Sequence, residues 1–113
     1  MKKMNKIKKP WGWEVILCNN SLYCGKILHI NRGYMSSLHK HFVKDETYYV
    51  TKGKLLVKRE SKEDIVKVGE AIRIKPGVIH RFIGVEESEF IEISTEFSDK
   101  DAERYEMGGK ISN

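Results

Sequence analysis

An all-β domain follows from three features of this 113-residue chain. Turn-forming residues recur at short intervals: Asn19-Asn20, Gly25, Asn31-Arg32-Gly33, Lys44-Asp45, Lys52-Gly53, Ser61-Lys62-Glu63, Gly69, Pro76-Gly77 and Gly84. The runs between them are short and rich in Val, Ile, Leu, Tyr and Phe, residues that suit a pleated, half-buried surface. No long segment repeats its apolar residues at the helical period. Many short strands at a spacing of roughly ten residues are the pattern of a sandwich or barrel.

Taken in order, strands are expected at 13–17, 26–30, 38–42, 47–51, 54–59, 65–68, 71–74, 80–83 and 90–94. Val43-Lys44-Asp45 fits a strand poorly, so a short loop is placed there and the next strand is started at Glu46. On that strand Glu46, Tyr48 and Val50 share a face, and an inward Glu46 brings Tyr48 into the same cavity. A helical turn is expected only over 99–105, where Ser98 or Asp99 can cap it. Trp11 and Trp13 read as core or dimer-packing aromatics. Asp101 and Arg104, three apart, read as a surface ion pair of little energetic weight.

Size and composition bound the function. At 113 residues with 40% hydrophobic content the chain is one domain with a modest core. Residues 10–113 form that domain, and residues 1–9 read as a basic tail. The net charge of +5 resides in Lys2, Lys3, Lys6, Lys8 and Lys9; the other sixteen basic residues match the sixteen acidic ones. A charge confined to a terminus argues against a nucleic-acid-binding face. No apolar run approaches a membrane span and no secretory signal is visible, so a cytoplasmic protein without a membrane partner is expected. Cys18 and Cys24 lack a CxxC spacing, and the sequence leaves their pairing open.

Three of the four histidines fall into one pattern. His39 and His41 stand at i and i+2, so on a strand they face one side while Lys40 faces the other. Glu46 follows five residues later, and His80 comes just after the Pro76-Gly77 turn. Three imidazoles and one carboxylate suit a first-row divalent ion such as Zn, Mn, Fe, Ni or Co, and an octahedral ion would keep two positions open. His29 lacks this spacing and reads as core or surface.

The run Gly33-x5-His39-x-His41-x4-Glu46-x6-Gly53 resembles the first motif of the cupin superfamily, and Gly69 through Pro76-Gly77-x2-His80 resembles the second. Two positions depart from that pattern: Lys75 stands where the family usually has its proline, and Gly84 where an asparagine is expected. The resemblance implies a jelly-roll β-barrel with His39, His41, Glu46 and His80 holding a divalent metal inside it. The opening Lys9-Pro10-Trp11-Gly12 and the ending Glu92-Ile93-Ser94-Thr95, with Asp99, Asp101 and Arg104, are similar to the cupin domain of bacterial type II mannose-6-phosphate isomerases.

That narrower likeness implies a metal-dependent sugar or sugar-phosphate isomerase acting in carbohydrate metabolism. Its metal would polarise substrate oxygens while a base moves a proton between adjacent carbons. Tyr48 and Glu92, with His29 behind them, are the candidate bases. Arg73 and Lys75, with Arg81 and Lys54 in reserve, are the candidate phosphate cations. An iron-dependent dioxygenase and a non-catalytic small-ligand binder are the alternatives. A carbohydrate-like small molecule is the expected partner, and a homodimer the expected assembly.

Overall fold

A computed structural model describes residues 1–112. Thirteen strands fill it: β1 (Ile7–Lys9), β2 (Gly12–Asn19), β3 (Cys24–Ile30), β4 (Tyr34–Met35), β5 (Leu38–His41), β6 (Glu46–Lys52), β7 (Lys54–Arg59), β8 (Lys62–Lys67), β9 (Ala71–Ile74), β10 (His80–Gly84), β11 (Ser88–Ser94), β12 (Ala102–Glu106) and β13 (Gly109–Lys110). All pairings are antiparallel. One sheet runs β1-β2-β3-β11-β6-β9; the other runs β12-β5-β10-β4-β13, with β7 and β8 joined to it through β10.

The strands form where the alternation favours them. In β6, Glu46, Tyr48 and Val50 are buried, and in β11 Ser88, Phe90, Glu92 and Ser94 are, so period two selects the inner face of each. The core gathers Trp11, Leu28, Ile30, Tyr48, Val50, Leu55, Val57, Val66, Ile74, Phe82 and Phe90 between the sheets. Phe82 sits edge-on to Trp11, Tyr48 and Phe90, with centroids 5.0, 5.9 and 5.0 Å apart, the preferred aromatic geometry.

The Lys9-Pro10-Trp11-Gly12 opening is a hairpin. Lys9 pairs with Gly12 across a two-residue turn, so strand structure begins inside the segment read as a tail. Trp11 plugs the core from that turn. Gly12 lies so close to β3 that a Cβ there would stand 2.0 Å from the His29 carbonyl oxygen. Gly84 has a similar reason: a Cβ would meet the Asn31 carbonyl oxygen at 2.6 Å. The asparagine expected there would not fit this backbone.

Two sequence readings need correction. The turn between β7 and β8 is Glu60-Ser61, and Lys62 and Glu63 already belong to β8. The helical turn at the C-terminal end is a 3-10 turn at Asp99–Asp101 with Ser98 as its cap, after which Ala102–Glu106 extends as β12 against β5. Cross-strand bonding to β5 outweighs the weak local preference for helix there. Cys18 and Cys24 are both free. Among the described residues no helix is long and apolar enough to cross a membrane.

Candidate metal centre

His39 and His41 project from β5, Glu46 starts β6, and His80 starts β10 directly opposite His39. Between the two contacts of β10, Met35 with Ile83 and His39 with His80, the β4–β5 side holds one residue more than β10. That extra residue is a bulge, and bulges re-aim side chains. Here it turns the Ser37 carbonyl oxygen toward His39 Nδ1 at 2.8 Å. The Val78 carbonyl oxygen accepts from His80 Nδ1 at the same distance. A carbonyl only accepts, so both Nδ1 atoms carry a proton and each Nε2 is the ring nitrogen left for the centre. The Pro76-Gly77 loop is tied to β5 by the Gly77 amide, which donates to the His41 carbonyl at 2.7 Å, and Lys75 in place of proline leaves this bond intact.

The three imidazoles each offer a nitrogen within 4.8 Å of the others. Glu46 Oε2 stands 3.5 Å from Nε2 of His41 and 3.5 Å from Nε2 of His80. Glu46 Oε2, His80 Nε2 and His41 Nδ1 are buried without a hydrogen-bond partner. Unpartnered buried polar atoms are costly, and two of these meet at one point. A divalent cation there would satisfy them, so the donor set fits the ion. Burial, with the neighbouring His80, lowers His39 to about 3. Burial likewise lowers His41 to about 4, with Lys44 and His80 adding to it against the pull of Glu46. Both rings are therefore neutral at pH 7 and free to ligate. Burial alone would raise Glu46, but the contact with His80 and the Lys44 ammonium outweigh it and hold the carboxylate ionised.

A cavity of about 280 Å³ opens over this centre. Tyr48, which shares its strand face with Glu46, and Glu92, the other candidate base, both line the cavity. Tyr48 is pushed well above its ordinary range by burial and by the charge of Glu46, so it stays a neutral phenol. Glu92 is raised by burial and by Glu46, against Lys44 and Lys26. Lys44 Nζ donates to Glu92 Oε2 at 2.5 Å and stands 3.7 Å from Glu46 Oε1. Despite its burial, Lys44 is raised by those two carboxylates and remains charged. The Asp101 carboxylate fixes the loop that delivers Lys44, accepting from the amides of Phe42, Val43 and Lys44 at 2.9–3.1 Å.

The other candidates lie elsewhere. Arg73 is exposed and donates to the Asp45 carboxylate at 2.6 and 3.0 Å; Lys75 is exposed in the following turn. Neither is among the cavity-lining residues, because alternation on β9 turns Arg73 outward. Arg81 holds the Ser36 and Met107 carbonyls and Glu106, and Lys54 pairs with Glu86 on the surface. His29 faces outward, stacked on Trp13 and bonded to Glu89 at 2.9 Å. The Asp101–Arg104 pair is replaced by the amide cap on one side and a cavity-mouth position for Arg104 on the other.

The cations that do line the cavity are Lys9, Lys26, Lys44 and Arg104. Lys26 carried a readable signal, since it shares the inward face of β3 with Leu28 and Ile30. Glu14 is likewise buried in β2. Lys44, in a loop, carried none.

Solved structures share this architecture. KdgF from Halomonas sp. superposes with a TM-score of 0.76 at 18% identity, covering 88% of this chain and 90% of that one. Oxalate decarboxylase from Bacillus subtilis gives 0.77 at 17% identity, covering 89% of this chain and 30% of that one. Identities this low speak to the fold. A 73-residue stretch, 65% of the chain, is 34% identical to a mannose-1-phosphate guanylyltransferase of Sinorhizobium fredii (strain NBRC 101917 / NGR234) and spans 14% of that protein. The Cupin domain family model matches residues 26–94, a span that contains His39, His41, Glu46 and His80. That match covers well over half of the sequence, and the chain belongs to the cupin family.

Proposed function

We propose that the cavity is the active site of a metal-dependent sugar-phosphate isomerase, with His39, His41, Glu46 and His80 holding one divalent ion. The observation that carries this reading is the Glu92–Lys44–Glu46 chain, which sets a buried carboxylate outside the ligand set one ammonium away from it. Aldose–ketose interconversion moves a proton between neighbouring carbons, so it needs a base beside an electrophile. When bound, a divalent ion would polarise the substrate's carbonyl and hydroxyl oxygens. Glu92 is the base. Its raised proton affinity brings it toward working pH, Lys44 orients it through Oε2, and its other oxygen is left to carry the proton. Tyr48, held neutral, donates a hydrogen bond to a substrate oxygen.

Charge supports a phosphorylated substrate. The cavity's four cations and its four carboxylates, Glu14, Glu46, Glu92 and Asp99, formally cancel. A divalent ion then makes the cavity net positive, which favours an anionic substrate wherever in the cavity its charge is held. The guanylyltransferase relative is named for a sugar phosphate, which points to the same class.

The test is turnover of mannose 6-phosphate and related aldose phosphates by chelated protein reloaded in turn with Zn, Mn, Fe, Ni or Co. Metal-dependent isomerisation is expected, with activity lost in Glu92→Gln while bound metal is retained. No turnover across the panel, or a fully active Glu92→Gln variant, would overturn the reading. Oxygen uptake with the same compounds would favour the oxidative chemistry instead.

A further inference from the structure

A buried lysine in the same cavity has an ion-pair partner but no hydrogen-bonded anion. Lys26 on β3 is 4% exposed, and its side chain points into the cavity. Its nearest carboxylate oxygen, Glu14 Oε2, is 3.8 Å away, beyond hydrogen-bond range. Its other close neighbour is the face of Phe97, with Nζ 3.5 Å from the ring centroid. Glu14 and Glu92 both flank Lys26, but each has a closer cation. Lys9 Nζ sits 3.2 Å from Glu14 Oε1, and Lys44 Nζ 2.5 Å from Glu92 Oε2. A lysine has three N–H donors, and this cavity-lining ammonium, with its nearest carboxylate at 3.8 Å, has donors left for a ligand.

The ring that covers Lys26 is itself held in place. Asn19 accepts from the Phe97 amide at 2.9 Å and donates to the Phe97 carbonyl at 3.0 Å, so both backbone groups of Phe97 are clamped to the end of β2. Phe97 also lies 5.2 Å from Lys44 Nζ, so one ring spans both ammonium groups. An apolar face against a cation strengthens it as an anion receptor, because it excludes water from that side.

We infer that Lys26, backed by Phe97, is the anchor of an anion subsite that binds a phosphate or carboxylate group of the ligand at a point separate from the metal centre. The register supports the separation: Lys26 pairs with Glu92 across β3–β11, and Glu92 pairs with Tyr48 across β11–β6. Two strand spacings, about 10 Å, therefore part the Lys26 and Tyr48 backbones, with Glu92 between them. A ligand engaging both ends passes over the base. The subsite deepens the isomerase reading by assigning the substrate's phosphate to Lys26, yet it stands as an equilibrium binding site without turnover.

The experiment measures inorganic phosphate and, separately, acetate binding by calorimetry. It uses the full chain, chelated and metal-loaded, as wild type, Lys26→Met and Lys26→Arg. Lys26→Met keeps the aliphatic stem over Phe97 and removes the charge. The expected result is phosphate binding by the chelated wild type, retained in Lys26→Arg and weakened about tenfold or more in Lys26→Met. Tighter phosphate than acetate binding assigns the subsite to phosphate; the reverse assigns it to carboxylate. Equal affinity in wild type and Lys26→Met, or phosphate binding only to the metal-loaded form, overturns the inference. If Lys26→Met does not fold, the Lys26 ¹³Cε resonance of chelated wild type decides: a shift on adding phosphate supports the subsite and its absence refutes it. Binding without isomerase activity would fail the isomerase reading alone. Turnover with an unchanged KM in Lys26→Met would fail the subsite alone.

Discussion

Replacing Lys44 with Met probes the charge network directly. The ammonium is 2.5 Å from Glu92 Oε2 and 3.7 Å from Glu46 Oε1, and all three groups are buried. At an effective dielectric of ~20 these contacts correspond to gross attractions of about 7 and about 4 kcal/mol. Desolvation of the ammonium, several kcal/mol, offsets much of that, and breaking a buried pair by removing one partner typically leaves a loss of about 3–5 kcal/mol. In a domain of this size the loss corresponds to a melting temperature lower by about 12–20 °C. Urea melts of chelated Lys44→Met at pH 7 should show it. The deficit should shrink on lowering the pH, because Glu92, already raised and now without Lys44, takes up a proton. It should also shrink on adding a divalent ion that counters Glu46. A loss under about 1 kcal/mol, the level of an exposed pair, would refute the assignment of Lys44 as the buried countercharge.

Further outcomes follow from the same geometry. In chelated protein, His39 and His41 titrate near 3 and 4 when folded, against 6.5 in the unfolded chain. The unfolded state therefore binds more protons below about pH 6.5, and stability should fall as pH drops from there toward 4, with Glu92 opposing by a single proton; urea midpoints unchanged over that range would count against neutral buried imidazoles. Asp101→Ala frees three backbone amides beside Lys44, so a loss of about 1–3 kcal/mol and weaker metal retention are expected from melts and elemental analysis. Arg73→Ala breaks only a surface pair and should cost under about 1 kcal/mol with KM unchanged; a large KM effect would return Arg73 to the substrate site.

Much of the candidate centre was legible because strand periodicity is local. His39-x-His41 reads as one face at a glance, and Glu46, Tyr48 and Val50 follow the same rule on β6. His80 was legible from its turn, whose Gly77 amide binds the His41 carbonyl. The cavity's charges were harder to read. Lys26 shares an inward face with Leu28 and Ile30 by period two, but its charge, like that of Glu14, reads as solvent-facing. Their partners on neighbouring strands, Lys9 with Glu14 and Glu14 with Lys26, make the inward placement tolerable. Arg73 misled because period two fixes that Ile72 and Ile74 oppose it but not which side faces the site. The fate of residues 102–106 was set by pairing with β5, a contact about 60 residues away that no local propensity encodes.

Metal content after chelation, reloading and desalting is the most direct measurement of the central claim. One divalent ion per chain is expected in the wild type, and none in a His39→Ala/His41→Ala variant whose circular dichroism still reports the barrel. Equal metal in the two proteins would contradict a centre built on His39, His41, Glu46 and His80.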